Sequence, residues 1–229
     1  MTNISERITQ VKQRIAAAAT SVNRNPGSIK LLAISKTRPV EDIRDAIETG
    51  QLDFGENYLQ DALPKISALK TEFPQLCWHF IGAIQSNKTR DIASQFDWVH
   101  TLERFKIAKR LSTQRPDELP PLQVCIQVNI SNEASKAGIP PSQVKTLAEE
   151  VISLPRLKLR GLMAIPASST DTMEQRQAFA QLKALYQELN QQGFDLDTLS
   201  MGMSNDLEAA ITEGSTLLRI GSAIFGARA

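Results

Sequence analysis

Short runs of apolar residues alternate along this chain with longer segments in which apolar residues recur every three or four positions. The first pattern reads as buried strands and the second as amphipathic helices. The runs predict strands at Lys30 to Ser35, Asp53 to Gly55, Trp78 to Gly82, Trp98 to Thr101, Val124 to Ile130, Leu159 to Ile165, Leu199 to Met201 and Leu217 to Ile220. Helical spacing between them predicts Val40 to Thr49, Tyr58 to Lys70, Lys88 to Gln95, Arg104 to Thr113, Pro141 to Ser153, Thr172 to Gln192 and Asn205 to Thr212. A further helix, Ile4 to Val22, precedes the first strand, and Ile224 to Arg228 reads as a short closing turn. Strands that each lead into a helical connection form parallel βαβ units. Eight of them predict an α/β fold of the closed (β/α)₈ TIM-barrel type rather than an open doubly wound sheet, whose glycine fingerprint is missing.

Turn residues mark the boundaries: Asn25-Pro26-Gly27, Pro120-Pro121, Pro140-Pro141 and Gln192-Gly193. Each is too short for an interdomain linker, and 229 residues fit a barrel of ordinary size. One domain, 1–229, is therefore expected. The helix Thr172 to Gln192 keeps Phe179, Leu182, Leu185, Tyr186 and Leu189 on one face, which packing on the barrel explains without a partner.

Charge narrows the partners. Twenty-six Lys and Arg stand against 25 Asp and Glu, so no global field favours nucleic acid or an anionic membrane. A small molecule is the expected partner. No apolar run approaches the roughly 20 residues that span a bilayer, and the first residues lack the apolar stretch of a secretory signal, so a cytoplasmic protein is expected. Cys77 and Cys125 lie in apolar stretches and read as buried reduced thiols. His79 and His100 have no cysteine or carboxylate neighbour at zinc-ligand spacing, so no metal site is expected.

In a barrel the residues just past each strand face the active end. Lys36 is the first of these, between Ile34-Ser35 and Thr37-Arg38-Pro39. Partial desolvation there would favour the neutral amine that attacks an aldehyde or ketone, whereas an isolated loop lysine would simply be solvated. Past strand seven, Ser204 stands where it would N-cap the helix Asn205 to Thr212, and a capped helix start is a natural phosphate seat. Past strand eight, Gly221 permits close backbone approach and Ser222 adds a hydroxyl. Each alone is ordinary capping or a tight turn. Together they occupy the loops where barrels often bind phosphate, and with Lys36 they suit a phosphorylated carbonyl compound, either pyridoxal phosphate or a sugar phosphate.

The motifs Ala33-Ile34-Ser35-Lys36-Thr37-Arg38-Pro39, Phe54-Gly55-Glu56-Asn57-Tyr58, His79-Phe80-Ile81-Gly82, Gly161-Leu162-Met163-Ala164, Ser200 to Asp206 and Arg219 to Gly226 run in order along the chain. They resemble the pyridoxal phosphate homeostasis protein family, whose fold is similar to the N-terminal barrel of bacterial alanine racemase, a fold-type III scaffold, without the racemase's second domain. The resemblance implies pyridoxal 5′-phosphate as cofactor, held as a Schiff base on Lys36. It implies Asn57 beside the ring, Arg219 facing the pyridine nitrogen, and Ser204, Gly221 and Ser222 around the phosphate. Ser222 stands where the family carries threonine, which keeps the hydroxyl. Ala83-Ile84-Gln85 stands where proline and leucine are common, which implies a looser local backbone. His79 and Met163 are read as interior residues, and Lys136 as a solvated loop lysine.

The implied role is intracellular homeostasis of the cofactor and of amino and keto acids, without rapid turnover. A permanent cation at the pyridine nitrogen weakens the electron sink, and of the acid or base a racemase draws from its partner's second domain there is no counterpart, Tyr58 and Tyr186 both belonging to helix patterns. The carrier would hand cofactor to apoenzymes, exchange with amino acids, and act as a monomer. A residual amino-acid racemase is the alternative, and a class I aldolase-like sugar-phosphate enzyme the third reading.

Overall fold

The structure, a computed structural model, describes residues 3–131, 133 and 136–226. Its strands are β1 (Lys30–Ile34), β2 (Asp53–Glu56), β3 (Cys77–Phe80), β4 (Trp98–Leu102), β5 (Leu122–Gln127), β6 (Leu157–Met163), β7 (Thr198–Ser200) and β8 (Leu217–Ile220). The helices are α1 (Ile4–Ser21), α2 (Val40–Glu48), α3 (Leu59–Leu69), α4 (Thr89–Gln95), α5 (Phe105–Gln114), α6 (Pro141–Ile152), α7 (Thr172–Gln191), α8 (Leu207–Thr212) and α9 (Ser222–Phe225). Every strand pairs in parallel with the next, and β8 returns to β1 with Lys30 opposite Leu217, so the sheet closes. This is the predicted barrel, with the additional first helix. Among the described residues no helix is long and apolar enough to cross a membrane.

Closure explains why the strands read as unbroken apolar runs. Leu31 and Ala33 pack outward with helix residues such as Ile43 and Ala46, while Leu32 and Ile34 point inward with Leu217. Both faces are covered, so both must be apolar. Helix α1 repeats Ile8, Val11, Ile15 and Ala19 on its buried face and packs against α8 and α9. Asn3 caps it by accepting the Glu6 N–H at 2.8 Å, and Arg14 pairs with Glu208 of α8 at 2.8 Å.

Some boundaries move for identifiable reasons. The fifth strand, expected to run to Ile130, ends at Gln127: Val128 N still donates to Met163 O at 2.8 Å, but from Asn129 the backbone turns to the Ile139 segment, with Asn129 N donating to Ile139 O at 2.9 Å. Val128 and Ile130 are still buried, so their apolarity belongs to that loop. The sixth strand begins at Leu157, two residues early, because exposed Lys158 and half-exposed Arg160 alternate with buried Leu157 and Leu159. The last helix begins at Ser222, ahead of the expected closing turn, whose Ala227 and Arg228 lie outside the described residues.

Candidate functional site

A cavity of about 780 Å³ opens past the ends of the strands, within the size range of small-molecule sites. Lys36, Asn57, Ser204, Arg219, Gly221 and Ser222 all line it. Lys36 is half-buried and follows Ser35, which is wholly buried. Behind it Thr37 adopts the left-handed conformation, φ 63°, uncommon for a β-branched residue and costly unless the surroundings hold it. They do: Arg38 N donates to Ser35 O at 3.0 Å, and the Arg38 guanidinium donates to Gly226 O at 2.8 Å.

Beneath this turn lies a buried cluster that the sequence reading did not single out. Lys65 of α3 donates from Nζ to Glu56 Oε1 at 2.8 Å and to Ser35 O at 2.9 Å. The Ser35 hydroxyl donates to the same Glu56 oxygen at 2.6 Å. Burial raises the Glu56 carboxyl, outweighing the hydrogen bonds from Lys65 and Ser35 that lower it. A lysine amid Ala62, Ile66 and Leu69, on the apolar face of its helix, is the signal that could have disclosed this pair.

Ser204 does not cap the helix after it. That helix starts at Leu207 with Asp206 in the cap position, because Asp206 Oδ1 accepts the Met203 N–H at 2.5 Å and closes a turn across Ser204 and Asn205. The Ser204 hydroxyl instead accepts the Ala223 N–H at 3.3 Å and lies 3.2 Å from the Ser222 hydroxyl. The two serines therefore stand side by side, joining the loops after β7 and β8. Asn57 is held from the other side, where a Cβ added to Gly82 would fall 2.0 Å from Asn57 O. The Ala83 to Gln85 segment is not loose: Gly82 O accepts the Thr101 hydroxyl at 2.6 Å and Ile84 is buried.

Arg219 enters the cavity from β8. Its Nη1 donates to Ser200 O and Ser200 Oγ at 2.5 and 2.8 Å, and Nη2 to Ala164 O at 2.9 Å. Burial pushes the guanidinium down to about 10, so it remains a cation at neutral pH. Lys136, expected to be solvated, also lines the cavity and pairs with Glu133 at 3.2 Å, its side chain 26% exposed. Met163, read as an interior residue, packs against Trp98 and Cys125 and also reaches the cavity wall. Tyr58 is 59% exposed and Tyr186 donates to Leu196 O at 2.6 Å; neither is among the cavity's lining residues.

The lining fits an anion with a flat ring. Lys36, Arg38, Lys136 and Arg219 face one carboxylate, Asp206, while Ile34, Ile81, Met163 and Ile165 provide apolar walls. Asn57 Oδ1 is buried with no hydrogen-bond partner among the described residues, an acceptor that a ligand donor would satisfy.

At the opposite end of the barrel, Asp53, Cys77 and His79 bring potential ligand atoms within 4.8 Å of one another. Spacing along the chain gives no metal-ligand pattern around the histidines, yet Cys77 and His79, two apart on β3, share a face. Asp53 there already accepts from Lys30 at 2.8 Å. Both cysteines are free. Burial raises the Cys77 thiol, which is half-buried, and pushes Cys125 up to about 12.

Residues 8–229 match the family model of the alanine racemase N-terminal domain. A pyridoxal phosphate homeostasis protein of Pseudomonas aeruginosa is 56% identical over 228 residues, covering 100% of this chain and 97% of the relative. The structure of PipY from Synechococcus elongatus with PLP bound superposes with a TM-score of 0.84 at 34% identity, covering 98% of this chain and 100% of that one. Alanine racemase from Corynebacterium glutamicum, 14% identical with a TM-score of 0.68, shares the fold over 62% of its own length.

Proposed function

This chain belongs to the alanine racemase N-terminal domain family and, within it, to the pyridoxal phosphate homeostasis proteins, and from that premise we propose that it holds pyridoxal 5′-phosphate on Lys36 and releases it without rapid turnover. The observation that carries this is the convergence of Lys36, Asn57, Ser204, Arg219, Gly221 and Ser222 on one cavity that has, among the described residues, four basic side chains and one carboxylate. When bound, the cofactor supplies an aldehyde for reversible bonding to amines and a pyridine ring that withdraws electrons. Lys36 would hold the cofactor through its Nζ at the aldehyde carbon. The paired Ser204 and Ser222 hydroxyls and the Gly221 backbone take the phosphate, and Asn57 lies along the ring. Arg219 would set its cation at the pyridine nitrogen and disfavour a proton there. The unit is one domain, residues 1–229, acting as a cytoplasmic monomer that exchanges with amino acids and supplies apoenzymes.

Slow turnover follows from what surrounds Lys36. Neither tyrosine lines the cavity, so no phenol stands opposite the lysine to exchange a substrate's α-proton. Mixing the yellow protein with alanine in deuterated water should change the visible spectrum while the α-hydrogen stays in place. Deuterium entering alanine at roughly 1–1000 per second would promote the racemase reading instead, and a colourless protein with affinity for a sugar phosphate would favour the aldolase.

The phosphate seat has its own test. Ser204→Ala removes one hydroxyl and the acceptor for the Ala223 N–H, a loss of about 0.5–1.5 kcal/mol. Cofactor affinity should fall partially, while affinity for pyridoxal, which lacks the phosphate, stays unchanged. Equal binding of both compounds to the wild-type protein would mean that no phosphate seat exists.

A further inference from the structure

The barrel interior contains a line of polar residues that the proposed site leaves without a role. Arg219 Nη1 lies 2.8 Å from Ser200 Oγ, and that oxygen 2.9 Å from His100 Nδ1. His100 Nε2 lies 2.9 Å from His79 Nδ1, and His79 Nε2 lies 3.0 Å from Asp53 Oδ1. The residues come from β8, β7, β4, β3 and β2. They cross the barrel from the cavity to its opposite end, where Lys30 pairs with Asp53 at 2.8 Å. Ser200, His100 and His79 are wholly buried.

One proton arrangement satisfies every contact along this line, with the Cys77 sulfur, 3.3 Å from His79 Nε2, as a second and weaker acceptor of the Nε2 proton. A carboxylate only accepts, so His79 must carry its proton on Nε2 and donate to Asp53, which leaves Nδ1 as an acceptor. His100 must then donate from Nε2, and its own Nδ1 accepts from the Ser200 hydroxyl. Ser200 Oγ, having given its only hydrogen to His100, accepts from Arg219, whose guanidinium only donates. The reverse arrangement would set a bare His79 nitrogen 3.0 Å from a carboxylate oxygen.

This arrangement requires neutral rings and an ionised Asp53, and the surroundings supply both. His79 faces Asp53, Cys77, Lys30, Asp97 and His100, and burial lowers it despite the pull of Asp53. His100 faces His79, Arg219 and Lys30, and burial together with all three holds it well below the usual histidine range. Burial works to raise Asp53, but hydrogen bonds from His79 and Lys30 outweigh it and hold the carboxyl low. At the other end, no carboxylate among the described residues pairs with Arg219. Its hydrogen bonds run to neutral acceptors, Ser200 and Ala164 O, while Asp206 acts on it only through its charge.

We infer that Ser200, His100 and His79 are positioning residues, a one-way hydrogen-bond relay ending on Asp53 that holds the Arg219 guanidinium in the cavity. Each bond polarises the next in the same sense, so the Ser200 oxygen becomes a better acceptor for the cation. The consequence for the cofactor rests on the proposed function, in which Arg219 meets the pyridine nitrogen.

The chain has two histidines, so ¹⁵N spectra of tag-free protein report both rings directly. Without cofactor, both should be neutral with the proton on Nε2 between pH 6 and 9; a ring protonated on Nδ1, or either ring charged, would sink the relay. Ser200→Ala should broaden or merge the Arg219 Nη proton resonances in the same cofactor-free protein. It should also weaken pyridoxal phosphate binding about 10–150-fold, as loss of a charge-assisted hydrogen bond predicts, and shift the visible band. Val124→Ala, a core substitution facing the helices, should change neither the Arg219 signals nor the band. His100→Gln serves as the second variant if Ser200→Ala does not fold. Unaltered Arg219 resonances and cofactor spectrum in a folded relay variant would overturn the proposal. Failure of the wild-type protein to take up pyridoxal phosphate would instead overturn the proposed function, while the ring tautomers and Arg219 resonances still decide the relay.

Discussion

Lys36→Ala protein is expected to be colourless under conditions that leave the wild-type protein yellow, with cofactor affinity lower by two orders of magnitude or more, about 3 kcal/mol. Other lysines are close enough to make this a discriminating test. Lys136 lines the same cavity but is paired with Glu133, and Lys65 is buried against Glu56 and Ser35. Lys36 differs in its support: it leaves the end of β1 between buried Ser35 and the left-handed Thr37, on a turn tied to Gly226 through Arg38. Such a base holds the amine in one place, which is what covalent capture of an aldehyde requires. Borohydride reduction followed by peptide mapping should locate the label on Lys36. A label mainly on Lys136 would refute the assignment.

Lys65→Met should be the most destabilising substitution near the site, costing about 3–5 kcal/mol at neutral pH because it strands the Glu56 carboxylate in the interior. The sign of its pH dependence follows from Glu56. Burial already raises that carboxyl above its ordinary value, and loss of the Lys65 cation raises it further. The folded state then holds the proton more tightly than the unfolded chain. Stability from this group is complete below the unfolded value, about 4.3, and is lost as pH rises through the folded value. Urea midpoints should therefore show a larger deficit at pH 8 than at pH 5.5, and an equal deficit at both would contradict the assignment. Adding Glu56→Gln should recover much of the loss, since an amide carries no charge to strand and its oxygen can still accept from Ser35. Because Lys65 also holds the Ser35 carbonyl, the single variant should loosen the turn that carries Lys36 as well.

Much of this was legible in the order of the residues. The inward and outward faces of β1, Leu32 and Ile34 against Leu31 and Ala33, are both apolar only where a sheet is covered on both sides, and eight such segments with helical connections specify a barrel. Strand ends are local features, so Lys36, Asn57, Ser204, Gly221 and Ser222 could be placed at the mouth from turn chemistry and motif alone. What Ser204 does there could not be read locally. Asp206 took the cap position, and the Ser204 hydroxyl turned to Ala223, a partner that only barrel closure brings near. Lys65 reads as one more helical lysine until α3 docks its apolar face over Glu56. His79 and His100, without ligand-spaced neighbours along the chain, meet each other and Ser200 only because the closed sheet turns those side chains into one interior. Hydrophobic periodicity is set residue by residue, whereas a hydrogen bond between residues 100 apart depends on strand register and closure, which the packing of the whole barrel decides.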